Sequence, residues 1–118
     1  MKKVLIVDDE VEIVELIAMV LDNGKMELLS AYDGEQALEI VHESRPDLVL
    51  TDVMMPRLDG RELCKRIKSD PTTNGTVVVL MSAVNRIEAA ECRADGIIRK
   101  PFDISQVSDT IDRLLATV

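Results

Sequence analysis

The sequence has few aromatic side chains, few cysteines and no long hydrophobic run. Of its 118 residues, one is tyrosine, one is phenylalanine and none is tryptophan. This scarcity argues against a site where bases or flavin rings stack on aromatic side chains. The two cysteines, Cys64 and Cys92, lack the CxxC or Cys/His spacing of a zinc site. We expect them to be free thiols rather than a disulfide.

No segment is apolar enough for a membrane span or a signal peptide. The apolar run after Lys3 is four residues long and stops at Asp8. A signal peptide needs about 7–15 apolar residues and a transmembrane helix about 18. We therefore expect a soluble, cytoplasmic protein without a membrane partner.

Acidic residues outnumber basic ones, and the excess lies in the first half of the chain. The formal net charge is −8, with 14 acidic and 5 basic residues over 1–59 and 8 acidic and 9 basic residues over 60–118. An acidic chain repels nucleic acid, so we expect no direct nucleic-acid partner. The acidic half could instead hold cations.

Short apolar runs alternate with longer segments whose apolar residues recur at helical spacing. The runs are typical of buried strands and the longer segments of amphipathic helices. Asp33, Asp59 and Asp103 each stand three residues before a Gln or Glu, as helix N-caps do. The alternation predicts one α/β domain over residues 1–118, a (βα)5 unit with a parallel sheet covered by helices on both faces. The predicted strands are 3–7, 26–31, 48–51, 76–81 and 97–99.

Polar side chains stand at the carboxyl ends of four predicted strands. Asp8 and Asp9 follow the first strand, and Asp52 follows the third. Ser82 follows the fourth strand and Lys100 the fifth. In doubly wound sheets, ligands bind at this edge, where the strand order reverses. We expect the five residues to converge there.

Clustered carboxylates need a counter-charge. At about 5 Å and an effective dielectric constant near 20, each pair repels by roughly 3 kcal/mol. Lys100 and a hard divalent cation, Mg²⁺ or Mn²⁺, would supply that counter-charge. Asp52 stands alone on its strand and is the natural nucleophile for an aspartyl-phosphate, with Ser82 as a hydrogen-bond donor to the phosphoryl group. The sequence has no nucleotide-binding motif, so the donor would be a small molecule or another protein.

These motifs resemble the receiver domain of bacterial two-component response regulators. The resemblance rests on VLIVDDE at 4–10, LVLTDVMMPRLDG at 48–60, LMSA at 80–83 and RKPF at 99–102. It implies a doubly wound, flavodoxin-like fold with a five-stranded parallel sheet in the order 2-1-3-4-5.

The resemblance also implies roles for the residues at the strand ends. Asp52 would be the phosphoacceptor, and Asp9, Asp52 and the backbone carbonyl of Met54 would bind Mg²⁺. Asp8 would support the metal ion through water. Ser82 would be the switch hydroxyl that follows the phosphoryl group. Lys100 would contact that group directly.

The family implies partners as well, and a cis peptide bond between Lys100 and Pro101. Its phosphoryl donors are phosphohistidines of histidine kinases or of histidine phosphotransfer proteins. Its output is a downstream protein target or a fused effector, and a phosphorylation-dependent homodimer stays open. We expect a signalling switch rather than a turnover enzyme.

The sequence departs from the family pattern at two places, and two further positions bear on the lifetime of the phosphoryl group. Ile97 stands where family members usually have Tyr or Phe, which puts the usual aromatic switch in doubt. The interval from Ser82 to Lys100 is short by about four residues, close to one helical turn, and predicts a shortened helix between the fourth and fifth strands. The resemblance implies that Met54 and Val84, two residues after Asp52 and Ser82, flank the phosphoryl site. Both are apolar and offer no group to orient an attacking water, so we expect slow loss of the phosphoryl group.

Two other functions fit a fold of this kind less well. An aspartate-nucleophile phosphohydrolase would resemble D-x-D-x-T at the first strand, whereas Asp8 and Asp9 are adjacent. A flavodoxin-like electron carrier would bind a phosphate after that strand, where these carboxylates repel it. Because Met1 lies two residues before the first predicted strand and the chain ends soon after the last helix, we expect either a stand-alone regulator or the receiver of a longer one.

Overall fold

Strands and helices alternate along the part of the chain that the computed structural model describes. It describes residues 1–83, 92–101 and 103–116, without the side chain of Ile104. The five predicted strands all form, with ends that differ from the prediction by at most one residue. In chain order the elements are β1 (Lys2–Val7), α1 (Val11–Leu21), β2 (Met26–Ala31), α2 (Gly34–Ser44), β3 (Leu48–Asp52), α3 (Gly60–Ser69), β4 (Val77–Ser82), β5 (Gly96–Arg99) and α4 (Ile104–Leu115).

The five strands form one parallel sheet in the order β2-β1-β3-β4-β5. This order confirms the predicted α/β, doubly wound, flavodoxin-like fold. Because β2 and β3 lie on opposite sides of β1, the loops that leave β1 and β3 diverge and open a crevice at the carboxyl edge. The shortened helix predicted between β4 and β5 falls in an interval of which residues 84–91 lie outside the described residues, so it stays a prediction.

The sheet separates two hydrophobic layers. One layer packs α2 and α3 against the sheet, and the other packs α1 and α4 against its opposite face. Strand β1 shows why, since Leu5 and Val7 belong to the first layer while Val4 and Ile6 belong to the second. Successive side chains of a strand point to opposite faces, so an apolar run with no polar alternation is buried on both.

Acidic caps fix the starts of α2 and α3. Asp33 and Asp59 each accept a hydrogen bond from the backbone N–H three residues later, at 2.7 and 3.0 Å. At α4, the side chain of Gln106 accepts a hydrogen bond of 2.9 Å from the N–H of Asp103. These contacts confirm the predicted helix starts. The cap at Asp59 also marks the end of the loop between β3 and α3, which borders the carboxyl edge.

Neither cysteine forms a disulfide, as expected, and both are buried. The thiol of Cys64 donates a hydrogen bond of 3.1 Å to the backbone carbonyl of Cys92. Burial raises the pKa of the Cys64 thiol, so this group is a packing residue with little thiolate at neutral pH. None of the helices in the described ranges is long and apolar enough to cross a bilayer.

Candidate functional site

Three carboxylates meet at the crevice. Asp8 and Asp9 directly follow β1, and Asp52 is the last residue of β3. Strands β1 and β3 are hydrogen-bonded neighbours whose register ends at the pair Val7 and Thr51, so the next residues lie side by side. Each of the three acids offers an oxygen, and these oxygens all lie within 4.8 Å of one another. The structure therefore brings together the acidic trio that the sequence predicts.

Lys100 supplies a positive charge to this trio. Its Nζ lies 3.1 Å from Asp52 Oδ1 and 3.8 Å from Asp8 Oδ2. The Lys100 backbone N–H donates a hydrogen bond of 2.7 Å to the carbonyl of Ser82, which ties the ends of β4 and β5 together. The peptide bond from Lys100 to Pro101 is cis, as predicted. One positive charge thus lies beside two of the three acids, Asp52 and Asp8.

Burial destabilises the ionised form of Asp8. Its side chain is buried, and its Oδ1 accepts a hydrogen bond of 2.9 Å from the N–H of Glu10. Among the described residues, no group donates a hydrogen bond to its Oδ2. Loss of solvation by burial raises the pKa of Asp8 to about 6, and the negative charge of Asp52 adds to this rise. The Glu10 N–H and Lys100 oppose it without cancelling it.

The donor set fits a hard metal ion. A buried carboxylate oxygen without a hydrogen-bond donor, next to two more carboxylates, leaves excess negative charge that one lysine does not neutralise. Carboxylate oxygens are the ligands that hard divalent cations prefer. The acidic pocket formed by Asp8, Asp9 and Asp52 could therefore hold a metal ion.

The two other predicted site residues lie at the same edge of the sheet. Ser82 is buried at the end of β4 and pairs in register with Arg99, the residue before Lys100. Met54 lies two residues beyond Asp52, and 62% of its surface is exposed. Because this side chain is exposed to solvent, the Met54 group that would take part in metal binding is its backbone carbonyl. The roles assigned to Ser82 and Met54 stay predictions.

The structure adds two residues that the sequence reasoning missed. The hydroxyl of Thr51 donates a hydrogen bond of 2.9 Å to the backbone carbonyl of Asp52. Gly60, the first residue of α3, lies so close that a Cβ built on it would overlap the same carbonyl oxygen. The sequence did mark Thr51 as unusual, because it is the one uncharged polar residue in the strand LVLTD. It did not mark Gly60, beyond the place of this residue after a helix cap.

Comparison with known proteins identifies the relatives of this chain. The family model of the response regulator receiver domain matches residues 4–112. The phosphate regulon transcriptional regulatory protein PhoB of Pseudomonas aeruginosa is 39% identical over 105 residues, which are 86% of this chain and 46% of PhoB. The chain spans about half the length of the curated relatives it matches.

Solved structures show the same architecture. The signal receiver domain of a signal transduction histidine kinase from Syntrophus aciditrophicus aligns with a TM-score of 0.92 at 29% identity, over 100% of this chain and 92% of that one. The chemotaxis response regulator CheY4 of Vibrio cholerae aligns with a TM-score of 0.88 at 28% identity, over 97% of this chain and 98% of that one.

Proposed function

Because this chain belongs to the response regulator receiver domain family of two-component systems, we propose that its Asp52 accepts a phosphoryl group. Phosphorylation would then shift an equilibrium between two conformations of the protein. The observation that carries the proposal is the position of Lys100 Nζ, 3.1 Å from Asp52 Oδ1 and 3.8 Å from Asp8 Oδ2, at the acidic trio that Asp9 completes. This arrangement places one lysine within 4.0 Å of two carboxylates of the trio, Asp52 and Asp8.

The chemistry is a nucleophilic substitution at phosphorus. An ionised oxygen of Asp52 attacks the phosphorus and forms a new P–O bond. The bond from phosphorus to the imidazole nitrogen of a phosphohistidine breaks, and its electron pair leaves with the imidazole. Lys100 offsets charge on the transferred group, and the Ser82 hydroxyl donates a hydrogen bond to one of its oxygens.

Four groups would hold the metal ion, Mg²⁺ or Mn²⁺. They are the carboxylates of Asp9 and Asp52 and the backbone carbonyl of Met54, which would bind it directly, and the carboxylate of Asp8, which would support it through water. The cation supplies positive charge that offsets the phosphoryl oxygens. Asp8 contributes the buried oxygen that lacks a donor among the described residues, and the cation would relieve the repulsion between this oxygen and Asp52.

The partners follow from the family and the charge of the chain. We propose a histidine kinase or a histidine phosphotransfer protein as the donor, and a downstream protein or a fused effector as the target. Residues 1–118 would act as one cytoplasmic switch domain rather than as a turnover enzyme, without direct contact to nucleic acid or membrane.

The output would not use an aromatic rotamer switch. Ile97 is half-buried and packs against the layer that contains α2 and α3, and it has no ring to move between two positions. Output would therefore use other contacts, among them a phosphorylation-dependent homodimer. Val84 lies outside the described residues, so slow dephosphorylation stays a prediction, which an aspartyl-phosphate half-life of seconds would contradict.

Intact mass after incubation with acetyl phosphate and Mg²⁺ tests the proposal. We expect one added phosphoryl group on the wild-type protein, and none without Mg²⁺ or in Asp52→Asn. An adduct that survives in Asp52→Asn would refute the assignment. So would a folded wild-type protein that takes no phosphoryl group from either acetyl phosphate or a phosphohistidine donor, and turnover of a phosphomonoester would favour the phosphohydrolase.

Metal binding has its own measurement. Mg²⁺ at ten times its dissociation constant should stabilise the wild-type protein by about 1.4 kcal/mol in thermal unfolding. Asp9→Asn should lose most of this gain. Asp22→Asn is the matched control, because Asp22 is exposed and follows the C-terminal end of α1, at the opposite edge of the sheet. Equal gains in both variants would exclude the acidic trio as the metal site.

A further inference from the structure

Strand β3 carries a buried hydroxyl in apolar surroundings. Thr51 is fully buried, and strand alternation places it on the same face as Val49 and Val53, which pack in the layer with α2 and α3. A valine has the same shape and would suit these neighbours without the cost of burying a polar group. The hydroxyl has a partner, since it donates a hydrogen bond of 2.9 Å to the carbonyl of Asp52.

That carbonyl belongs to the peptide group through which the chain leaves β3. The N–H of the same peptide group, at Val53, donates a hydrogen bond of 3.0 Å to the carbonyl of Met81. The backbone of Gly60 packs against the carbonyl oxygen of Asp52. The Gly60 N–H donates a hydrogen bond of 2.9 Å to the carbonyl of Val53. The peptide group after Asp52 is therefore held at its oxygen, at its nitrogen and by a packed backbone.

From these contacts we infer that Thr51 is a positioning residue for phosphoryl transfer to Asp52. The carbonyl and the side chain of Asp52 branch from the same Cα. Because the nitrogen of this peptide group is anchored to Met81, a tilt of the carbonyl shifts that Cα, and the carboxylate then moves relative to Lys100. Without the Thr51 hydroxyl, the carbonyl loses a hydrogen bond that limits this tilt. The inference rests on the proposed function of Asp52.

The experiment compares initial rates of phosphorylation by acetyl phosphate at saturating Mg²⁺. In Thr51→Val the maximal rate should fall by about five- to tenfold, because misplacement of a nucleophile by a fraction of an ångström slows an oriented reaction. The acetyl phosphate concentration that gives half the maximal rate should not change. Thr51→Ser keeps the hydroxyl and should restore the wild-type rate.

Thr73→Val is the matched control. Thr73, in the loop after α3, is also buried, and its hydroxyl donates a hydrogen bond of 2.8 Å to the backbone carbonyl of Ile67 in α3. This variant should lose about as much thermal stability as Thr51→Val while its phosphorylation rate stays unchanged. Should Thr51→Val not fold, Thr51→Ala and Thr51→Ser differ from each other only in the hydroxyl and replace it in the comparison.

Each outcome decides between the inference and the proposed function. A wild-type protein that takes no phosphoryl group overturns both. If the wild-type protein is phosphorylated and Thr51→Val is equally fast, only the positioning role fails. Equal slowing in Thr51→Ser would show that the methyl group matters instead, and equal slowing in Thr73→Val would show a general loss of stability.

Discussion

Replacement of Gly60 by alanine should destabilise the protein, although alanine is the better helix former. Gly60 is the first residue of α3, and alanine inside a helix is favoured over glycine by about 0.5–1 kcal/mol. Helix propensity alone therefore predicts a gain. The structure predicts a loss, because a Cβ at this position would overlap the carbonyl oxygen of Asp52 and lie 3.0 Å from the Cα of Val53.

The size of the loss in stability depends on whether the atoms that a Cβ at Gly60 would overlap can move. They belong to the backbone at the end of β3, which has a neighbouring strand on each side, so no flexible side chain can rotate away. The hydrogen bond from Val53 to Met81 also resists a shift of this backbone. Overpacking of this kind costs about 1–3 kcal/mol. After the gain in helix propensity, we expect a net loss of about 1–2 kcal/mol.

Urea unfolding at neutral pH measures the difference, and Gly75→Ala is the control. A Cβ at Gly75 would meet no atom within 4 Å, and its backbone φ is not positive. This substitution should be neutral or add about 0.4–1 kcal/mol through the unfolded chain. If Gly60→Ala unfolds at the same urea concentration as the wild-type protein or at a higher one, with an unchanged denaturant slope, the close approach to Asp52 does not exist in solution.

Two ion pairs away from the site give further predictions. His42 Nε2 lies 3.0 Å from Asp70 Oδ2, and this hydrogen bond raises the pKa of His42 above 6.5 and lowers the pKa of Asp70 from 3.8 to about 2. The pair therefore stabilises the fold most between pH 3.8 and pH 6.5, the ordinary pKa values of the two groups. The histidine contribution is lost as the pH rises through the raised pKa of His42. The aspartate contribution is lost as the pH falls from 3.8 towards 2. In an NMR titration, Asp70→Asn should return the His42 pKa towards 6.5, and an unchanged titration would contradict the contact. Lys68 Nζ lies 2.7 Å from Asp95 Oδ2, and the Lys68 side chain is only 11% exposed. Lys68→Met should therefore lower the free energy of unfolding in urea by about 1–2 kcal/mol. The loss stays this small because Asp95 is partly exposed, and solvent screens the pair. Lys65 is exposed, and Lys65→Met should change the free energy of unfolding by no more than about 0.5 kcal/mol. Equal losses in the two variants would show that the contact between Lys68 and Asp95 contributes nothing.

The sequence alone was sufficient for the architecture and for the meeting of the acids. Apolar runs without polar alternation predict strands buried on both faces, and β1 and β3 are such strands. Parallel strands all end at one edge of their sheet, so Asp8, Asp9 and Asp52 had to approach one another once the alternation of strands and helices was recognised. The helix caps at Asp33 and Asp59 could also be predicted from the sequence, because a cap and its partner are three residues apart in the chain.

The contacts that set the detailed geometry of the site were decided by the tertiary structure. The distance from Lys100 to Asp52 depends on the path of the chain through β5, and the contact between Gly60 and Asp52 depends on how the loop after β3 folds back. Burial decided the raised pKa of Asp8. The hydroxyl of Thr51 was visible as a polar residue in an apolar strand, but its partner was not. Periodicity and capping reflect backbone geometry over a few residues, whereas these contacts join atoms whose separation is set by strand register, loop path and packing, which residue spacing along the chain does not encode.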